Sequence, residues 1–229
     1  MTAMVWDVAI RKSLGSAGQR FELDIAFRSE AQRLVLFGPS GAGKSLTLKA
    51  IAGLLRPDAG RIGFAGAPFF DSAAAIDVPA AERRLGYVFQ EYALFPHLTV
   101  RQNVAYSARR GWRNPARDEP GAEIDRWLEA LELTPLARRY PDQLSSGQRQ
   151  RTALARALVA GPRALLLDEP FAALDESLRR RLRAELFAMQ RELAIPTLLI
   201  THDEADIDAF AEALVRVDAG RVVAGEPAD

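Results

Sequence analysis

The stretch from Arg33 to Ser45 constrains this chain more than any other. The apolar run Arg33-Leu34-Val35-Leu36-Phe37 enters a glycine-rich turn, and a helical pattern from Ser45 to Gly53 leaves it. The run reads as a buried strand, and Gly53 reads as the helix stop. Between them, Gly38 to Ser45 matches G-x-x-x-x-G-K-[ST] in full. The glycines let backbone N–H groups turn inward and approach phosphate oxygens closely. The helix that follows aims its positive end at the same place. Lys44 supplies a point charge for β- and γ-phosphates, and the Ser45 hydroxyl can ligate Mg²⁺. Gly38, Pro39, Ser40, Gly41, Ala42, Gly43, Lys44 and Ser45, with Leu46 behind them, form the candidate nucleotide-binding set. A glycine-rich turn with a chance lysine is the competing reading; the strand before and the helix after argue against it. The motif specifies a nucleotide phosphate and says nothing of what the energy does.

A second buried strand, Ala164-Leu165-Leu166-Leu167, ends on two acids, Asp168 and Glu169, before Pro170. Nucleotide sites in parallel sheets lie at the carboxyl ends of strands. Asp168 fits a Mg²⁺-holding role opposite Ser45, and Glu169 is free to orient and deprotonate an attacking water. Leu85–Phe89 and Leu198–Ile200 read as further strands, and Ile62–Phe70, rich in Gly and aromatics, reads as sheet. Helical stripes run through Ile124, Trp127, Leu128 and Leu131, and through Leu178, Leu182, Leu186, Met189 and Leu193. Strands alternating with helices imply a parallel sheet. Ala105–Ala122, loaded with Arg, Gly and Pro, reads as an exposed loop. The arginines at 179–181 and 183 read as the solvated face of their helix.

Composition narrows the partners. The 229 residues, 48% hydrophobic, suffice for one domain with a real core. Thirty Lys+Arg balance thirty Asp+Glu, whereas a nucleic-acid binder shows a basic excess. The absence of cysteine excludes a disulfide framework and any thiolate metal site. Met1–Gly15 alternates apolar and charged residues with no signal-peptide core. No apolar run approaches the roughly 18 residues of a membrane helix, so a membrane role has to come through a partner chain.

Leu144-Ser145-Ser146-Gly147-Gln148-Arg149-Gln150-Arg151 closely resembles the LSGGQ signature of ABC ATPases. A serine hydroxyl and glycine N–H groups at a helix start make an anion site, and the helix continues through the apolar stripe Ala153, Leu154, Ala157 and Leu158. The resemblance implies that Ser145, Ser146, Gly147 and Gln148 bind the γ-phosphate of ATP held by a second copy, so that two cassettes close head to tail over two ATP molecules. Ser146 departs from the family, which usually has Gly there. The resemblance covers nearly the whole chain. Gln90 is similar to the Q-loop glutamine, a ligand of Mg²⁺ and water. Ala173-Leu174-Asp175 is similar to the D-loop, with Ala172 where serine is common. His202, in Thr201-His202-Asp203, matches the switch histidine that contacts the γ-phosphate. Phe21 is the nearest candidate for the aromatic residue that stacks on adenine, and it reads equally as a strand core residue; Trp6 reads as core. The implied fold is a P-loop NTPase, α/β, with a RecA-like core and an antiparallel β flank from about 1–90 and 157–229, and a helical subdomain from about 91–156.

Soluble ABC ATPases of DNA repair insert coiled coils or zinc modules between Q-loop and signature. Here about fifty residues separate Gln90 from Leu144, without heptads or cysteines. The expectation is therefore a transport ATPase that binds ATP and Mg²⁺, with permease subunits and, indirectly, a substrate-binding protein as partners, at the cytoplasmic face of the inner membrane. Glu91–Val100 resembles the importer segment that helps receive a permease's coupling helix. Phe69-Phe70-Asp71-Ser72, Asp77-Val78-Pro79 and Arg83-Arg84-Leu85-Gly86 resemble molybdate-importer ATPases, with sulfate, iron and polyamine as alternatives. The run Gly220–Asp229 resembles the strand pair that closes the nucleotide-binding domain. Importers of this group often carry a C-terminal regulatory domain, and the sequence leaves open whether one follows.

Overall fold

The computed structural model describes residues 4–16, 19–109, 113–171 and 176–223. Two long strands open it, β1 (Trp6–Ser16) and β2 (Gln19–Ser29). Then β3 (Arg33–Phe37) passes through the glycine turn into α1 (Lys44–Ala52). A meander of β4 (Ala59–Phe64), β5 (Ala67–Asp71) and β6 (Ile76–Asp77) follows, then the single turn α2 (Ala80–Arg83) and β7 (Leu85–Val88). The next elements are helical: α3 (Val100–Ala108), α4 (Ala122–Ala130) and α5 (Ser146–Leu158). No strand occurs among the described residues between 91 and 156. The chain continues with β8 (Ala164–Asp168), α6 (Glu176–Leu193), β9 (Thr197–Thr201), α7 (Glu204–Phe210), β10 (Ala213–Asp218) and β11 (Arg221–Val223).

All described strands join one sheet in the order β6-β5-β4-β1-β2-β11-β10-β3-β9-β8-β7. From β10 to β7 every neighbour is parallel. On the other side β1, β2, β4, β5 and β6 pair antiparallel, and β11 bridges the two parts. The expected parallel sheet with an antiparallel flank is therefore present. Its central strands are apolar on both faces because both faces are covered. Val35, Leu165, Leu167 and Leu199 pack with the helices that include α5, while Leu34, Leu36, Leu166, Leu198 and Ile200 pack on the side of α1 and β1. Trp6 is core, fully buried with its ring 4.8 Å from that of Phe64.

Three readings need adjustment. The loop expected over Ala105–Ala122 is helical at its start, because α3 runs on to Ala108; a Thr99–Gln102 capping box starts that helix, and its tail keeps Val104 and Ala105 buried. Ile62–Phe70 is two strands, turned at Ala65 and Gly66, both at positive φ. The arginines of α6 are not uniformly solvated: Arg180 and Arg181 are exposed, but Arg183 keeps 10% of its side-chain surface and pairs with Asp206 and Asp203, and Arg179 reaches Asp203. A charge-pattern reading could not foresee these partners, which lie about 20 residues on in the sequence.

One buried cation fixes α1 from below. Arg83, 1% exposed, donates from Nη1 to the carbonyls of Ala50 and Ile51, each at 2.8 Å, and from Nε to that of Val78 at 2.8 Å. A helix C-terminus leaves such carbonyls unpaired and attracts positive charge. Arg83→Met is therefore expected to destabilise the fold by about 3 kcal/mol, the scale of losing hydrogen bonds to a charged group. Urea unfolding measures this, and an unchanged midpoint would contradict it.

Candidate nucleotide-binding and hydrolytic site

The turn from β3 to α1 folds as it does because two of its glycines admit nothing larger. A Cβ on Gly38 would sit 1.9 Å from the Val217 carbonyl oxygen of β10. Gly43 caps α1 at φ +99°, a left-handed conformation, and a Cβ there would meet Leu23 Cδ1 at 2.6 Å. Lys44 is the first residue of α1, and its side chain is 3% exposed. Its Nζ donates to the carbonyls of Gly38 at 2.7 Å and Pro39 at 2.9 Å, folding the loop around the ammonium. Burial pushes the Lys44 pKa below its ordinary value, and Glu169, with Oε1 3.7 Å away, works against that shift. A buried cation at the positive end of a helix is a site prepared for an anion.

The acids arrive from β8, whose register with β9 and β7 sets them beside the loop. Asp168 accepts from Ser45 Oγ on Oδ1 at 2.8 Å and from the Tyr87 hydroxyl on Oδ2 at 3.0 Å. Glu169 stands at φ +46°, left-handed for a residue that is not glycine, while its N–H still donates to the Ile200 carbonyl at 3.1 Å. Such strain persists only where the surroundings over-determine it. The turn aims the carboxylate between the Lys44 ammonium and the His202 ring, with His202 Nδ1 3.2 Å from Oε2 and Lys44 on Oε1. His202 itself is 51% exposed. Below it Asp206, 3% exposed, accepts from Thr201 and pairs with Arg183. Asp203 caps α7 by accepting from Ala205 N–H.

An open cleft of about 360 Å³ lies over the phosphate loop and Glu169, a size suited to a small-molecule ligand. Ser40, Gly41, Ala42, Gly43, Lys44, Ser45 and Leu46 line it, with Gln90 and Glu169. Gln90 is exposed in the turn after β7. Phe21, half-buried on β2, lines the cleft and also packs on the core, so it fits both readings open to it. The donors facing each other here, a hydroxyl and a carboxylate, are hard oxygens suited to Mg²⁺. No cluster of three or more acids or histidines exists among the described residues.

The signature residues sit elsewhere. Ser145 is the N-cap of α5: its Oγ accepts from Gln148 N–H at 3.3 Å, and Gln148 Oε1 accepts from Ser145 N–H at 3.0 Å. This capping box leaves Ser145 exposed at a helix start, with Ser146 and Gly147 in the first turn. None of Ser145, Ser146, Gly147 and Gln148 lines the cleft of the phosphate loop. The D-loop residues, Ala172, Ala173, Leu174 and Asp175, lie outside the described residues. Sequence reading missed Tyr87, whose contact with Asp168 depends on a strand register, and the Arg183–Asp206 pair. Asp203 carried a recognisable signal, an Asp placed just before a helix.

The family model described as ABC transporter matches residues 22–172. The chain is 44% identical over 223 residues to the sulfate/thiosulfate import ATP-binding protein of Thermosynechococcus vestitus, covering 96% of this chain and 63% of that protein. It is 44% identical over 218 residues to the molybdenum import ATP-binding protein of Rhizobium meliloti, covering 95% and 59%. The chain thus spans about three fifths of the length of these curated relatives. Among solved structures it is similar to a dimeric, post-hydrolysis ATP-binding cassette bound to ADP and Pi, with a TM-score of 0.78, 27% identity and 98% of each chain covered. With the phosphate loop, the paired acids and the capped signature helix in place, the match is one of both sequence and architecture: the chain belongs to the ABC transporter family.

Proposed function

We propose that this chain binds and hydrolyses ATP to drive an importer for an oxyanion, working as a pair of cassettes on the cytoplasmic face of a membrane. The observation that carries the chemistry is Glu169, strained into a left-handed turn and held between Lys44 and His202 at the mouth of the phosphate loop. ATP is the substrate. The N–H groups of Ser40–Ser45 receive its phosphates, and Lys44 exchanges the Gly38 and Pro39 carbonyls for phosphate oxygens. Ser45, Asp168 and Gln90 would hold Mg²⁺, which would supply positive charge against the charge that develops on the phosphates. Glu169 accepts the proton of the attacking water as the new bond to the γ-phosphorus forms and the bond to the β–γ bridging oxygen breaks. His202 orients Glu169 and the γ-phosphate. Asp175 and the signature residues Ser145, Ser146, Gly147 and Gln148 act across the dimer on the ATP of the opposite copy; the exposure of Ser145 at a helix start, and the place of the four signature residues outside the chain's own cleft, support this.

The coarse division assigned above, with a helical part from about 91–156, gives the signature and Glu91–Val100 a common carrier that docks the permease. No helix among the described residues is long and apolar enough to cross a membrane; permease subunits would form the pathway, and a substrate-binding protein would deliver cargo to them. Relatives named for sulfate/thiosulfate and for molybdenum import support an oxyanion as that cargo.

Lys44→Ala is expected to remove most ATP affinity, since it deletes a charge-assisted contact; isothermal titration checks this, and wild-type affinity would remove Lys44 from the site. Glu169→Gln keeps shape and most hydrogen bonding. It is expected to retain ATP binding while hydrolysis slows by roughly 10²–10⁴-fold, the scale of lost general base catalysis. Phosphate release in a single turnover reads the step, and an unchanged rate would contradict the assignment.

A further inference from the structure

We propose that Tyr87 is a positioning residue for Asp168, fixing the carboxylate through its far oxygen so that the near one can serve Mg²⁺. The inference rests on the metal assignment made under Proposed function and deepens it. Asp168 ends β8 and is almost fully buried, and each carboxylate oxygen has its own donor. An ionised carboxylate only accepts, so both partners must donate. The two donors differ in what happens to them later. Ser45 Oγ, on Oδ1, is the hydroxyl that turns to the ion when Mg²⁺ is held. The Tyr87 hydroxyl, on Oδ2 at 3.0 Å, has no second task. It remains as the contact that keeps Asp168 in one rotamer while Ser45 changes partner.

The phenol reaches this place by register. Tyr87 on β7 pairs with Leu166 on the parallel strand β8, two residues before Asp168. Leu166 and Asp168 share a face of β8, and two residues of strand rise are about 6.6 Å, a gap that the long axis of the phenol spans. The ring is seated against Phe89, with centroids 4.3 Å apart and planes at 41°, and is half-buried. Position 87 thus carries an aromatic body with a donor at its tip, and only the tip concerns the metal. Partners that orient metal ligands commonly change metal affinity by about 10–100-fold when removed.

Tyr87→Phe isolates the tip, because the ring and its packing stay. The test titrates Mn²⁺ into the protein with ATP held below the protein concentration, so that little free ATP competes for the ion, followed by the electron paramagnetic resonance of free Mn²⁺, beside ATP binding in EDTA and thermal melting. The expected result is a metal dissociation constant about tenfold higher in Tyr87→Phe, with metal-free ATP affinity and melting temperature close to wild type. Asp168→Asn is the reference. A wild-type metal constant in Tyr87→Phe, with a large shift in Asp168→Asn, would overturn the role of Tyr87 and leave the metal assignment standing. No shift in either variant would overturn the metal assignment itself. Parallel loss of metal-free ATP affinity and of thermal stability in Tyr87→Phe would also overturn the role of Tyr87, because the hydroxyl would then support the fold and not the ligand.

Discussion

A lysine ammonium is buried inside the turn that presents it. Lys44 stands at the positive end of α1, almost without solvent, and two carbonyls of its own loop receive its hydrogens. Removing an ammonium from water is unfavourable unless its charge is met. Partial charges on two carbonyls and a carboxylate 3.7 Å away meet it incompletely. The loop can hold this arrangement because Gly38 lies against the Val217 carbonyl and Gly43 takes a left-handed conformation. The two glycines therefore fix where the helix starts, the helix start fixes the ammonium, and the ammonium sets a demand for anionic oxygen that a polyphosphate meets.

The parallel sheet then delivers the remaining groups to one edge. Register places the ends of β7, β8 and β9 beside the loop, so Gln90, Asp168, Glu169 and His202 follow strands that end together. Asp168 continues the strand and faces Ser45, whereas Glu169 leaves it through a strained turn and faces Lys44 and His202. One peptide bond thus separates the acid proposed to hold the metal from the one proposed to activate water. The pairs behind His202, formed by Arg183, Asp203 and Asp206, tie its loop to α6.

Much of this was legible in the chain. Leu34–Phe37 and Leu165–Leu167 are apolar at every position, the mark of strands covered on both faces, and the motif at Gly38–Ser45 carries its own chemistry. Helix stripes at Leu182 and Leu186 gave α6. Three things were less visible, for physical reasons. The run of α3 to Ala108 continues a helix packed through Val104 and Ala105, and its last three residues are exposed, with no apolar stripe to mark them. The contact of Tyr87 with Asp168 exists only once β7 and β8 are paired in register. The buried Arg83 carries no local signal of its role, since the α1 carbonyls it caps lie more than thirty residues away.

The signature helix is the part whose geometry makes least sense in a single chain. Its first turn is capped by an exposed serine and absent from the cleft that holds the phosphate loop, although a helix start of this kind favours anions. The account joins the two through a second copy, and the lack of native cysteine makes that claim directly testable. Protein carrying Ser40→Cys is mixed with protein carrying Ser146→Cys, both with Glu169→Gln, and treated with a short bis-maleimide with and without Mg-ATP. The account predicts a covalent dimer joining position 40 of one copy to position 146 of the other, formed only with Mg-ATP. Cross-links only between identical positions, or a mixed cross-link indifferent to nucleotide, would contradict it.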